Sequence, residues 1–334
     1  MTHEPLTIVI PTYNRPDGLY RAVESLFWQS AAASGFRVMV VDNSADASAR
    51  LTFDTLKDRA PQKLELSYLH VPEAGVANAR NSAVAELKTP LIAFIDDDQS
   101  APPSWIEELL KAYETFRAAV TFGPVETVLP DTVVKHRAYY EGFFAREPNL
   151  PAGYIDKPFG CGNCLIDARQ VPKNRMWFDV RMNEVGGEDD LLFGRIRAAK
   201  GKFAWAPKAS VQEHPLPQRI KLTYTLRRAF AYGQGPCTLA RKSEPSRYDK
   251  LLMWVLWGGA KFGLHASIWA ALRIIGHSNR AFEADKAIRG LGKVLFWKKL
   301  RFYGTSTVTQ LSEPVLLNSN KPGPAEETRL RASG

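Results

Sequence analysis

The chain is short of the features that mark several large protein classes. Of its 334 residues only three are cysteine, Cys161, Cys164 and Cys237, too few for a disulfide framework and suited to a reducing compartment. Cys161 and Cys164 form a CxxC. A structural zinc would need two further ligands, and a redox pair normally opens a helix after a strand, so both are read as small buried residues. No secretory signal is evident, because residues 1–4 are polar and the apolar run behind them is only Leu6 to Ile10, which places the chain in the cytoplasm. Residues 251–275 are the most apolar stretch, yet Lys261 and His265 interrupt it before it reaches the ~18 apolar residues of a spanning helix. There is no internal repeat. Nor does a Gly-rich phosphate loop follow the first apolar run, where PTYNRP stands instead.

What is present is an ordinary globular composition, 45% hydrophobic and 24% charged, with length for one large or two moderate domains. The net charge of +9 is unevenly spread. Residues 217–303 hold 17 Lys and Arg against 4 Asp and Glu, a net +13, while residues 1–216 carry a net −4.

The informative stretch is Leu91 to Ser100, LIAFIDDDQS, where five apolar residues run into three aspartates. An apolar run of this length reads as a central strand covered on both faces, and its polar end as the carboxyl edge of a sheet, where ligands of open α/β sheets bind. Side chains alternate along an extended segment, which puts Asp96 and Asp98 on one side and Asp97 on the other. Two carboxylates on one side form a hard oxygen site for Mg2+ or Mn2+, with substrate phosphates completing the shell.

Leu6 to Ile10, Phe36 to Val41 and Leu64 to His70 read as three earlier strands, with helical spacing at Leu19, Val23, Leu26 and Phe27 and again over residues 75–87. Strand and helix alternating in this way means right-handed crossovers and a parallel sheet. Ser104 with Glu107 reads as a capping box. Residues 120–129 are strand-like with a bend at Gly123-Pro124, residues 130–158 read as a loop-rich, aromatic binding segment, and residues 159–167 as another strand. Gly186-Gly187 leads into Glu188-Asp189-Asp190 and a helix to Ala199, followed by a short strand at 203–206 and Gln212-Glu213-His214-Pro215. From Leu222 on, amphipathic helices carry Trp254, Trp257, Trp269 and Trp297 among Lys and Arg, an interfacial pattern rather than a nucleic-acid stacking surface. Residues 304–334, rich in Pro, Ser, Asn and Glu, read as disordered.

One sheet edge would gather the acids that follow these strands, and a nucleoside diphosphate explains the set. Its base and ribose need a polar pocket such as Asp42 offers, its phosphates need a cation at Asp96 and Asp98, and a transfer from it needs a base for the incoming hydroxyl among residues 188–190. Over residues 5–240 the chain resembles the family 2 inverting glycosyltransferases of GT-A fold, through VIPTYNRP, VVDNSADAS, AGVANARNSAV, FIDDD as the DxD motif and GGEDDLL as the ED motif. GPVET, GGEDDLL, the 213–219 segment and RRAFAYGQ resemble the glucosyltransferases of succinoglycan-type exopolysaccharide assembly.

The resemblance implies a mostly parallel central sheet flanked by helices, divided into a nucleotide-sugar-binding half (1–100), an acceptor-binding half (101–216), a basic amphipathic helical region (217–303) and the tail (304–334). It implies Pro11, Tyr13, Asp42 and Arg80 in the nucleotide pocket, Asp97 toward the sugar or ribose, and Asp96 and Asp98 on the metal. It further implies Asp189 as general base, Glu188 positioning the acceptor, and His214 as a possible further metal ligand. The partners expected are a UDP-sugar, a lipid-linked saccharide and the anionic inner face of the cell membrane, with no nucleic acid. Two other readings stand beside this one. Asp96-Asp97-Asp98-Gln99-Ser100 loosely fits the motif of haloacid-dehalogenase phosphatases and phosphotransferases, and a membrane scaffold with an inactive transferase domain would share the basic region.

Overall fold

A computed structural model of the chain describes residues 4–298 apart from 31–34, 174–175, 184–185 and 243–245. The tail expected at 304–334 lies outside the described residues.

The first half alternates strand and helix as β1 (Leu6–Thr12), α1 (Pro16–Leu26), β2 (Phe36–Asp42), α2 (Arg50–Arg59), β3 (Glu65–His70), α3 (Val76–Ala85) and β4 (Leu91–Phe94). The second half is more broken: β5 (Gln99–Ser100), α4 (Trp105–Phe116), β6 (Val120–Phe122), β7 (Val125–Thr127), α5 (Arg137–Phe144), β8 (Gly153–Ile155), β9 (Cys164–Asp167), α6 (Glu188–Ala198), β10 (Phe203–Trp205) and β11 (Val211–Glu213). Three helices follow, α7 (Leu222–Lys242), α8 (Tyr248–Ile274) and α9 (Arg280–Val294).

The main sheet has the order β3-β2-β1-β4-β9-β6-β10-β8, and β5-β11-β7 form a smaller one. Strands β3 to β4 are parallel throughout, as the crossovers require. Strand β9 runs antiparallel to both β4 and β6, which the sequence did not foretell. Alternation along the strands divides the core in two. Ile8, Ile10, Leu91 and Ala93 pack with Leu19, Val23 and Leu109 on one face, while Val9, Ile92 and Phe94 pack with Ala79, Leu192 and Phe193 on the other.

Three local expectations are corrected. Residues 137–144 are not a loop: α5 buries Tyr139 and Tyr140, and Tyr139 meets the ring of Phe282 on α9 edge-on at 5.5 Å. Two of the aromatic residues that suggested a binding segment are core, and Phe143 and Phe144 pack against them, while Tyr154 is exposed. Ser104 makes no side-chain capping bond, its backbone being at φ −90° and ψ −1° rather than extended, and Glu107, the other half of the expected box, accepts from the Ser30 hydroxyl at 2.9 Å. The strand expected over 159–167 is confined to Cys164–Asp167, and the glycines before it form a loop at the site. Cys161 and Cys164 are buried as expected, with their sulfurs 4.0 Å apart and unlinked.

Helices α7 to α9 pack on one another, and α8 and α9 approach closely where Gly290 faces the Gly258 carbonyl, since a Cβ there would lie only 2.7 Å from that oxygen. Among the described residues no helix is long and apolar enough to cross a membrane.

Candidate active site

The order β3-β2-β1-β4 places the switch of chain direction between β1 and β4, and the carboxyl ends of those two strands open the site. Pro11 lies near the end of β1's ladder and Tyr13 and Arg15 follow the strand; beyond β4 come the three aspartates. Strand β4 stops at Phe94 and a turn follows, with Gln99 N–H donating to the Asp96 carbonyl at 3.0 Å. The alternation expected for Asp96, Asp97 and Asp98 therefore does not hold. Asp97 and Asp98 share one arginine: Arg15 Nη1 donates to Asp97 Oδ1 at 2.7 Å and to Asp98 Oδ2 at 3.1 Å. Thr12 Oγ1 adds a bond to Asp97 Oδ2 at 2.9 Å, and Arg219 Nη1 a second to Asp98 Oδ2 at 3.0 Å. Asp96 turns instead to α3, where Arg80 Nη2 lies 3.3 Å from Oδ1.

Arg80 joins the two halves of the site. Its guanidinium is buried and donates from Nη1 to Glu188 Oε1 at 2.7 Å. Burial by itself would lower the Arg80 pKa, but Cys161, Asp96, Glu188 and Asp189 around it raise it, so the cation is retained. Desolvation raises the Asp96 and Asp97 carboxyls; Arg80 opposes it on Asp96, Arg15 opposes it on Asp97, and the charge of Asp98 adds to it on both. Glu188 is likewise raised by burial and held down by Arg80.

Gly187, at φ 89°, turns the chain into α6 so that Glu188 points inward and Asp189 lies partly open at the helix N-terminus. Asp189 Oδ2 accepts from the Cys161 N–H at 3.2 Å and Oδ1 from the Asp190 N–H at 2.9 Å, while Asp190 is exposed. The 160–163 loop that reaches Asp189 is held by Arg146, whose guanidinium donates to the carbonyls of Gly160, Gly162 and Asn163.

Asp42 lies deeper than the sequence suggested. It is fully buried, and both its oxygens are taken, Oδ1 by Ser44 N–H and Oγ and Oδ2 by Ala49 N–H and the Tyr68 hydroxyl. In this structure it shapes the 43–49 loop rather than presenting an oxygen to a ligand. His214 donates its backbone N–H to the Asp98 carbonyl at 2.7 Å, and its Nε2 faces the Ser100 hydroxyl at 2.9 Å. Burial lowers its pKa.

Three residues of the site went unnoticed in the sequence. Arg15 and Arg219 were the available cations of PTYNRP and of the 213–219 segment, and nothing local marks the acid each would meet. Glu213, at the end of β11, is pushed up to about 8 by burial and by the charge of Asp98.

The donor set suits a hard divalent cation with few protein ligands. Asp96 Oδ2 and Asp98 Oδ1 accept no hydrogen bond among the described residues, and a Cβ at Gly162 would lie 2.3 Å from Asp96 Oδ2, so the glycine keeps that oxygen open. Among the described residues no three His, Cys, Asp or Glu side chains are placed to hold one metal ion by themselves. That matches a site completed by substrate phosphates rather than an all-protein cage.

The sequence pattern of the family described as Glycosyl transferase family 2 matches residues 7–170. The succinoglycan biosynthesis protein ExoM of Rhizobium meliloti is 29% identical over 312 residues, 91% of this chain and 97% of that protein. Among solved structures, the mannosyltransferase PcManGT from Pyrobaculum calidifontis in complex with GDP-Man and Mn2+ aligns with a TM-score of 0.56 at 17% identity, over 90% of this chain and 89% of that one. S. aureus TarS 1–349 in complex with UDP-GlcNAc aligns with a TM-score of 0.52 at 13% identity, over 87% and 90%. These two likenesses bear on the fold, an α/β arrangement of GT-A type. With its strand-end acids, its ED-bearing helix and a relative that runs along nine-tenths of its length, the chain belongs to glycosyl transferase family 2.

Proposed function

We propose that the chain transfers a hexose, glucose from UDP-glucose, to a hydroxyl of a lipid-linked saccharide in the synthesis of an exopolysaccharide or cell-surface polysaccharide. The observation that carries this reading is the meeting of the 96–98 acids with the 188–190 acids through one buried arginine at a sheet edge. In this account Pro11, Tyr13 and Asp97 border the nucleotide sugar, with Asp42 and Arg80 supporting that border from behind. Asp96 and Asp98 would hold Mn2+ or Mg2+, and His214, whose Nε2 faces the Ser100 hydroxyl, would be the further ligand. When bound, the cation offsets the charge that develops on the leaving diphosphate. Arg15 and Arg219 add positive charge beside it.

Asp189 is the base. It takes the acceptor proton as the hydroxyl oxygen attacks the anomeric carbon from the face opposite the diphosphate, a single displacement with inversion. Glu188 is already paired with Arg80, so it acts by holding the donor and acceptor halves in register rather than by meeting the proton. The exposed apolar residues of α8, among them Leu252, Leu256, Trp257 and Leu264, face outward beside the basic surface of residues 217–303. This supports peripheral attachment to an anionic membrane, where a lipid-linked acceptor resides. A haloacid-dehalogenase reading is less well supported, since that family carries its motif on the first strand and here it follows β4.

The test is a panel of nucleotide sugars incubated with Mn2+. Release of UDP from UDP-glucose supports the reading, and release of phosphate from simple phosphomonoesters with no turnover of any nucleotide sugar would replace it.

A further inference from the structure

Helices α7, α8 and α9 and the segment before α5 line an open-mouthed cavity of about 530 Å3 that belongs to no part of the site above. Its size is that of a small-ligand pocket, roughly 300–1,000 Å3. Its wall is apolar: Leu226 from α7, Phe262 and Trp269 from α8, Ala284 and Ile288 from α9. The space exists because α9 turns the small side chains of Ala281, Ala284 and Ala287 toward it.

The lining is not apolar throughout. Lys135, Arg273 and Arg280 also border the cavity, and no carboxylate does. None of the three forms an ion pair among the described residues, and Arg273 lies over the Trp269 ring at 5.4 Å. Between them sits the partly buried His136, whose ring nitrogens are shielded from solvent and have, among the described residues, only the Ser278 backbone near them. Burial first, and then the nearby charges of Arg280 and Lys135, lower its pKa against an opposing hydrogen bond with the Ser278 backbone. Three cations with no carboxylate at the rim, Lys135 and Arg273 exposed and Arg280 partly buried, give the mouth a positive charge complementary to an anion, while the wall behind it is complementary to hydrocarbon.

We infer that this cavity takes the hydrocarbon chain of a single-chain lipid phosphate, with its phosphate held by Lys135, His136, Arg273 and Arg280. Reading that lipid as the carrier of the acceptor rests on the function proposed above, and the single chain tested is a prenyl one. It gives the C-terminal helices a substrate-holding task distinct from attachment to a membrane, which the outward face of α8 serves.

The probe is farnesyl phosphate, titrated calorimetrically into the full-length protein. The expected result is saturable one-to-one binding, at least tenfold weaker for farnesol and absent for inorganic phosphate. Ala284→Phe, which fills the cavity, and the surface pair Arg273→Glu with Arg280→Glu should each weaken it at least tenfold. Binding of UDP with Mn2+ serves as the folding control for each variant, and the charge pair decides the matter if Ala284→Phe fails that control. Absent or non-saturable binding, or equal affinity in the charge pair, would overturn the inference. Tighter binding of a short-chain phosphatidylglycerol would overturn the choice of a prenyl chain. If the native protein binds farnesyl phosphate but turns over no nucleotide sugar, the catalytic reading fails and the cavity assignment stands.

Discussion

Arg80 Nη1 donates to Glu188 Oε1 at 2.7 Å, joining residues 108 apart in the chain and completing a line of ion pairs that begins at the partly exposed Asp96. The bond ties α3, in the half that carries the DxD acids, to the first residue of α6, in the half that carries the ED acids. Because both partners are almost fully buried, the pair is costly to break from one side only.

Arg80→Ala should therefore destabilise the protein by about 3–5 kcal/mol, since it leaves Glu188 buried without a counter-charge. Arg80→Met with Glu188→Leu should recover much of that stability while staying inactive. Urea denaturation measures both. A single variant as stable as the native protein would show that the bond does not organise the site.

Asp42 makes a prediction about pH. Burial alone would raise its pKa, but the bonds from Ser44, Tyr68 and Ala49 outweigh it and hold the carboxyl below its ordinary value. A group depressed in the folded state stabilises above its unfolded pKa, about 4, and loses that contribution as the pH falls through the folded value. Asp42→Asn should cost about 1–3 kcal/mol at pH 7, by setting an amide donor against existing donors, and the difference should narrow toward pH 3. Melting curves across pH 3–8 check it, and a gap that stays constant would refute it.

Much of this site was legible because apolar runs ended in acids. FRVMVVD, LIAFIDDD and GGEDDLL announce strand ends and a helix start by an abrupt change from apolar or glycine to carboxylate, and the topology then brings them to one edge. What could not be read is which charges meet. Arg219 and Asp98 are 121 residues apart, and Arg15 chooses Asp97 and Asp98 through the turn after Phe94, neither of which leaves a local period. The antiparallel course of β9 and the helix at 137–144 were missed for a related reason: three- and four-residue strands and an eight-residue aromatic helix are too short for a hydrophobic pattern to distinguish.

Asp189→Asn should lower turnover by about 10²–10⁴ while leaving affinity for the nucleotide sugar within a few fold. Steady-state rates and donor titration separate the two. A collapse of donor affinity together with the rate would make Asp189 a donor ligand and move the base to Asp190, since Glu188 is held by Arg80.

The outward face of α8 predicts a salt-sensitive attachment. Leu256→Glu with Leu264→Glu should abolish sedimentation with anionic vesicles, and raising salt should release the native protein in part, because its +13 region is screened while its apolar contacts remain. Retention by the double variant would place the contact elsewhere on the molecule.

Calorimetric titration of UDP tests most directly, and without any acceptor, whether Asp96 and Asp98 bind a nucleoside diphosphate through a divalent cation. With the native protein, Mn2+ should tighten UDP binding at least tenfold, and Asp98→Ala should lose that gain. Equal affinity for UDP with Mn2+ and with excess EDTA, in a native protein that still turns over its donor, would contradict the account.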